Sequence, residues 1–188
     1  NAKVEYNSAF GKFLIDKELI SQNVAQSHLR ETKVYQILYA DDPGNYYNTD
    51  LDRVSSLIWV LNNLVNNNFN LIYRAHPSVP QKLVNDFLGH CSSLSGKKID
   101  LSTDSLQKDL ANSQIVVTKY STVAIQAIIN QKLLLINNHD SGNPFPDLKK
   151  KCPEVFLDDS FDKNLFHLLS DETIYYRQKY YFNSSQIK

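Results

Sequence analysis

The stretch VVTKYSTVAIQAIINQKLLLI, residues 116–136, decides the fold. It runs apolar, turns polar at Tyr120, Ser121 and Thr122, then passes through a helical pattern into a second β-rich run. Strand over 115–118, helix over 122–130 and strand over 133–137 make a βαβ unit, the connection parallel strands require. Two adjacent hydroxyls stand where the buried strand becomes the helix.

The same rhythm extends toward the amino end. Residues 34–40 (VYQILYA) read as a strand and 41–48 (DDPGNYYN) as turn chemistry. Leu51, Val54, Leu57, Ile58, Leu61, Leu64 and Val65 then recur at helical spacing. Residues 69–73 return to strand, 74–80 (RAHPSVP) form a proline-bounded loop and 81–88 a short helix. Residues 99–101 and 105–111 repeat strand and helix. Such alternation predicts an α/β, Rossmann-like, doubly wound parallel sheet with helices on both faces. The expected organisation is a lead-in over 1–33, the sheet domain over 34–158 and a helical segment over 159–188.

Composition excludes several classes. The chain has 188 residues, 42% hydrophobic and 21% charged, ordinary values for a globular protein. Twenty basic and twenty acidic residues cancel, so no polyanion-binding face is indicated and nucleic acid is not an expected partner. Cys91 and Cys152 lie far apart without His or Cys neighbours at ligand spacing, which argues against a disulfide framework and a zinc site and fits a reducing cytoplasm. No apolar run approaches the roughly 18–20 residues of a membrane span. The chain begins at Asn1 and contains no methionine, which reads as part of something longer.

In a doubly wound sheet, ligands bind beyond the carboxyl ends of the strands. The loops to inspect are therefore 41–48, 74–78, 102–105, 119–122 and 138–146. At 119–122, Ser121 and Thr122 are placed to hold a phosphate with hydroxyls and free helix-start amides, or simply to cap the helix. At 74–77, Pro77 restricts His76 to extended geometry, and an imidazole there suits phosphate binding or protonation of a leaving group. Arg74 adds charge at the same strand end. The alternative is a satisfied loop histidine beside a solvent-facing arginine. Asp100, Ser102 and Ser105 could edge a base or ribose pocket, while Asp104 or Ser105 reads equally well as a helix cap. Neither G-x-G-x-x-G nor G-x-x-x-x-G-K-[ST] occurs. With five glycines, phosphate binding has to rely on helix starts and side chains.

Arg74-Ala75-His76-Pro77 followed by Thr118-Lys119-Tyr120-Ser121-Thr122 resembles the carboxy-terminal half of GT-B glycosyltransferases. It resembles especially the CDP-glycerol glycerophosphotransferase and capsular-polysaccharide groups, which carry R-x-H-P after one strand and a T-D-Y-S-S-like segment before a helix; bacterial sialyltransferases have a comparable His-Pro and paired-serine arrangement. Residues 6–13 (YNSAFGKF) resemble the segment that often opens this half, so the likeness spans roughly 4–137. It implies that His76, Ser121 and Thr122, with Arg74, hold the donor phosphate, His76 being the catalytic group. Gln126 stands where relatives commonly have an acid that contacts ribose. Lys119 replaces the usual Asp, and no Pro follows Lys132. Asp41 and Asp42 resemble the acidic pair that serves as base in some sialyltransferases, but Asp-Asp-Pro-Gly is better read as a turn.

The resemblance implies a nucleotide-activated donor of CDP, CMP or UDP type, no cofactor and no metal. It implies a glycan acceptor held by a missing amino-terminal domain or partner chain, with peripheral membrane association through that missing part. The reaction would lie in the cytoplasm, at the inner membrane face. Two other readings are a non-hydrolysing UDP-sugar 2-epimerase and a non-catalytic binding or assembly module. His28, His90 and His167 show no partner spacing, and His139-Asp140 opens a loop. The tyrosine-rich stretch 175–182 is expected to be a helix packing its aromatics on the sheet.

Overall fold

The computed structural model describes residues 34–42, 50–138, 145–158, 160–161 and 163–184. The proposed lead-in over 1–33, with its YNSAFGKF segment and His28, lies outside them, as do residues 43–49 and the His139-Asp140 pair.

Six parallel strands form the sheet: β1 (Tyr35–Ala40), β2 (Phe69–Arg74), β3 (Asp100–Leu101), β4 (Ile115–Thr118), β5 (Leu133–Asn137) and β6 (Phe156–Leu157). Their order is β3-β2-β1-β4-β5-β6, so the chain winds outward from β1, returns and winds the other way from β4. The side on which successive strands are added reverses between β1 and β4, which makes that junction the topological switch point. β4 and β5 are buried at every residue, and β1 at all but Gln36, which is why they read as nearly continuous apolar runs.

Helix α1 (Asp50–Leu64) follows β1, and α2 (Gln81–Ser95) follows β2; the two pack against each other. Leu57, Val60, Leu61 and Leu64 form the buried stripe of α1. Its last turn is closed from outside: Lys97 Nζ donates to the carbonyls of Leu61 and Val65 at 2.6 and 2.7 Å, satisfying acceptors the helix leaves open. Helix α2 runs well beyond the expected residue 88. Val84, Leu88 and Cys91 continue one buried face, and the helix stops at Gly96, whose φ of 67° is the left-handed C-cap.

Helix α3 (Leu106–Asn112) is capped by Ser105, which accepts the Lys108 amide at 3.3 Å. Helix α4 (Val123–Ile129) joins β4 to β5, and α5 (Pro146–Lys151) leads through a 3₁₀ turn (Pro153–Val155) into β6. The sixth strand and α5 were not expected; both are too short to leave a periodic signal. Two further helices, α6 (Leu165–Ser170) and α7 (Glu172–Ser184), complete the described chain.

Helix α7 packs on α4, α5 and β5. Ile174, Gln178 and Phe182 face inward, whereas Tyr176 and Tyr180 are exposed, so the aromatic helix buries one stripe rather than all its rings. Gln178 is wholly buried: its Nε2 donates to the Leu134 carbonyl at 2.6 Å, and its Oε1 accepts the Leu134 amide at 3.5 Å. Strand β6 pairs only with Ile136 and Asn137, leaving that flank of β5 without a strand partner at Leu134. The glutamine amide takes the missing strand's place.

Candidate functional site at the switch point

The carboxyl ends of β1, β2 and β3 are held level by backbone bonds that outlast the strands: Asp41 N–H to Arg74 O at 2.9 Å and Ser102 N–H to Tyr73 O at 2.7 Å. Beneath this edge lies a layer of polar groups, most of them buried. Tyr39 and Tyr73 stack at 5.7 Å, and the Tyr39 hydroxyl accepts from Asn137 Nδ2 at 2.9 Å. Arg53, on α1, pairs with Asp41, donates to the Tyr73 hydroxyl at 2.9 Å and lies 4.1 Å over the Phe87 ring. Burial raises the Tyr73 phenol, which keeps it neutral.

Asp41 and Asp42 are therefore not turn surface. Both are buried, at 3% and 0% exposure, and they point their charge at different partners. Asp41 neutralises Arg53. Asp42 crosses the switch point: one oxygen, Oδ2, accepts the Lys119 amide at 2.8 Å, the Tyr120 amide at 3.1 Å and the Thr118 hydroxyl at 3.3 Å. Its other oxygen has no partner among the described residues. Burial, with Asp41 beside it, holds the Asp42 carboxyl above its ordinary range despite the two amides. The sequence signal was present, since two acids directly after a buried strand are close to its enclosed end. The following Pro-Gly hid it by explaining the same residues as a turn.

The turn that Asp42 grips carries the two hydroxyls. Ser121 Oγ accepts the Val123 amide at 3.2 Å, which leaves its own hydrogen available to donate. Thr122 occupies the N-cap position in helical geometry, makes no side-chain cap bond and is exposed. Gln126 is one helical turn further on, at the i+4 position on the same face of α4, and is half-buried. Tyr120 is 50% exposed and stacks on Phe145 at 5.9 Å.

On the other side of β1, the loop after β2 presents His76 half-buried. The Ser78 amide donates to His76 Nδ1 at 3.2 Å, with Ser78 Oγ 2.7 Å from the same nitrogen. An amide hydrogen aimed at Nδ1 requires a lone pair there, so the neutral ring carries its proton on Nε2. His76 is thus set as a donor through Nε2.

The remaining expected residues are engaged among themselves. Arg74 Nη1 donates to Asp109 Oδ2 at 2.6 Å and to the Asp104 carbonyl at 2.8 Å, and Ser102 Oγ lies 2.7 Å from both oxygens of Asp109. Arg74 and Ser102, both half-buried, share one buried carboxylate. Asp100 begins the edge strand β3 and forms an exposed ion pair with Lys98. His90 and His167 are exposed on helices, and Cys91 and Cys152 are buried free thiols, pushed up to about 11 and about 12 chiefly by burial. Among the described residues, no group of three His, Cys, Asp or Glu could hold a metal, and no helix is long and apolar enough to cross a membrane.

Three solved structures illustrate what the chain is similar to. A putative UDP-N-acetylglucosamine 2-epimerase from Listeria monocytogenes overlaps 82% of this chain at 14% identity with a TM-score of 0.49, covering 43% of that protein. KpsC, the beta Kdo 2,7 transferase of Thermosulfurimonas dismutans, overlaps 86% at 17% identity and 0.45, covering 47% of that protein. The wall teichoic acid polymerase TagF overlaps 94% at 13% identity and 0.47, covering 42% of its own chain. The chain spans less than half the length of each of these proteins. At such identities and TM-scores, likeness assigns neither substrate nor reaction. No family model and no curated protein matches the sequence.

Proposed function

We propose that this chain is the donor-nucleotide-binding half of a GT-B transferase that moves a glycosyl or polyol-phosphate group from a CDP-, CMP- or UDP-activated donor. One observation carries the reading. The Arg-Ala-His-Pro loop and the Lys-Tyr-Ser-Thr turn leave the same carboxyl edge of the sheet, on β2 and β4, the strands that flank β1 at the switch point.

In this reading the His76 Nε2–H and the hydroxyls of Ser121 and Thr122 donate to the nucleotide phosphate and stabilise the charge that grows on it as the transferred group departs. Seven residues make α4 a short helix, so the hydroxyls matter more here than its dipole. Arg74 contributes field from beneath, its charge already shared with Asp109. Gln126, on the Thr122 face, and Ser102 and Asp100, on the β3 side, flank the nucleoside. The acceptor belongs to a second domain or partner chain, where contact with the cytoplasmic membrane face would also be made. Donor charge is offset by hydrogen-bond donors, with no metal or cofactor assigned.

Calorimetric titration of the chain with CDP, CMP, UDP and GDP, beside His76→Ala and Ser121→Ala, tests this. Selective binding of one nucleotide, weakened at least about tenfold by each variant, is expected from the loss of a hydrogen bond to a charged group. A folded sample that binds none of the four sinks the reading and favours a non-catalytic module. Turnover of a UDP-sugar without acceptor reassigns the same site to an epimerase.

A further inference from the structure

Asp42 has no place among the expected phosphate ligands, yet its side chain bonds across the switch point to the backbone that leads into Ser121 and Thr122. Its carboxylate is wholly enclosed, and three donors from consecutive residues of the next-door strand end converge on a single oxygen. Two successive amides pointing at one acceptor define the direction of the chain between Thr118 and Tyr120. Ser121 and Thr122 follow directly. Backbone direction at that turn is therefore tied to a residue just beyond β1, seventy-odd positions earlier in sequence.

The turn is also tied at Tyr120, whose ring stacks on Phe145 at 5.9 Å, but not through its two hydroxyl residues. Ser121 Oγ bonds forward to Val123, and Thr122 makes no cap bond, so neither hydroxyl residue ties the turn back to the sheet through its own side chain. Thr118 ends β4, where its register with Ile136 stops. Beyond that point the Asp42 carboxylate takes over from the strand ladder as the acceptor for the next two amides.

We propose that Asp42 is a positioning residue for the nucleotide site: by gripping the Thr118 hydroxyl and the Lys119 and Tyr120 amides, it holds the turn so that the Ser121 and Thr122 hydroxyls face the phosphate together. This rests on the phosphate site argued above. Asp42 touches no substrate. Its effect is specific to the phosphate, because the nucleoside is flanked by Gln126 and by the β3 side, which Asp42 does not bond.

The measurement is the affinity of the whole chain for UDP, CDP and their nucleosides, in wild type, Asp42→Ala, Asp42→Asn and the remote core variant Phe69→Leu. Phe69 is buried at the start of β2, on the opposite edge of the sheet. The diphosphate-over-nucleoside preference is expected to fall about tenfold or more in Asp42→Ala, and to be largely kept in Asp42→Asn, whose carbonyl oxygen still accepts the two amides. Phe69→Leu is expected to lower the melting temperature without touching that preference. If Asp42→Ala does not fold, Asp42→Ser, which is too short to reach the amides, replaces it. Wild type that prefers the diphosphate, with an alanine or serine variant that prefers it equally, overturns the positioning role and leaves the site. Equal loss in Asp42→Asn and Asp42→Ala overturns it as well, since charge rather than grip would then matter. Wild type that binds no nucleotide overturns both the role and the site.

Discussion

Arg74 Nη1 donates to Asp109 Oδ2 at 2.6 Å, joining the end of β2 to the middle of α3 through a carboxylate that is 2% exposed. Ser102 adds its hydroxyl to the same carboxylate. Removing Asp109 leaves the Ser102 hydroxyl without this acceptor and the half-buried Arg74 guanidinium with the Asp104 carbonyl alone. Asp109→Ala is expected to lower stability by about 2 kcal/mol, discounted from the larger cost of a fully buried pair because Arg74 keeps some water access. Urea unfolding with an unchanged m-value measures it. A loss smaller than a few tenths of a kcal/mol would remove the network as a structural tie.

Gln178 stands in for a strand along β5. Gln178→Ala strips the Leu134 amide and carbonyl of their partner at a buried site, and should cost about 2 kcal/mol. Gln178→Glu should be worse, because it removes the donor to the Leu134 carbonyl and buries a carboxylate. Thermal melts of both variants, with hydrogen exchange at the Leu134 amide, separate this tie from general packing.

Gly96 ends α2 at a φ of 67°, and a Cβ there would meet nothing within 4 Å. Gly96→Ala therefore reports backbone strain without steric clash. It is expected to destabilise by about 1 kcal/mol, with Gly96→Asn less harmful because asparagine tolerates the left-handed region. Equal stability of the alanine variant and the parent would rule out the left-handed cap in solution.

Asp42 should also leave a mark on the pH dependence of folding. Burial, the largest influence, and Asp41 raise its carboxyl above 3.8, outweighing the Lys119 and Tyr120 amides and the Thr118 hydroxyl that lower it. Between 3.8 and the higher folded value, the folded chain holds a proton that the unfolded chain has released. Stability from this group is therefore greatest below that window, falls as pH rises through it and is flat above. Asp42→Asn lacks the slope. The difference in unfolding free energy between wild type and Asp42→Asn should shift toward the asparagine variant as pH rises from about 4, reaching a plateau. A difference that stays constant with pH would place the folded carboxyl at its ordinary value.

Much of this architecture is written locally. The strands over 115–118 and 133–137 fall where their apolar runs begin and end, because a parallel strand buried on both faces can carry little else. The amphipathic stripe from Leu57 to Leu64 defines α1 for the same reason: its period is a property of neighbouring residues. Strand β6, by contrast, has two residues and no period, and exists because β5 offers it Ile136 and Asn137 as partners.

The candidate site divides along the same line. His76 and Ser121 were legible because each sits at the end of a strand the pattern reveals. The work of Asp42, Asp109 and Gln178 was not, because each acts on a backbone or side chain that is adjacent only after the sheet has closed. Hydrogen bonds between residues as far apart as Asp42 and Lys119 depend on strand order, and strand order is decided by crossovers, not by local sequence. The sequence by itself determined the strands β1 to β5, the helices that alternate with them, and which loops leave their carboxyl ends. Only the tertiary structure decided which acids are enclosed and what they hold, since burial and partners arise when distant segments pack.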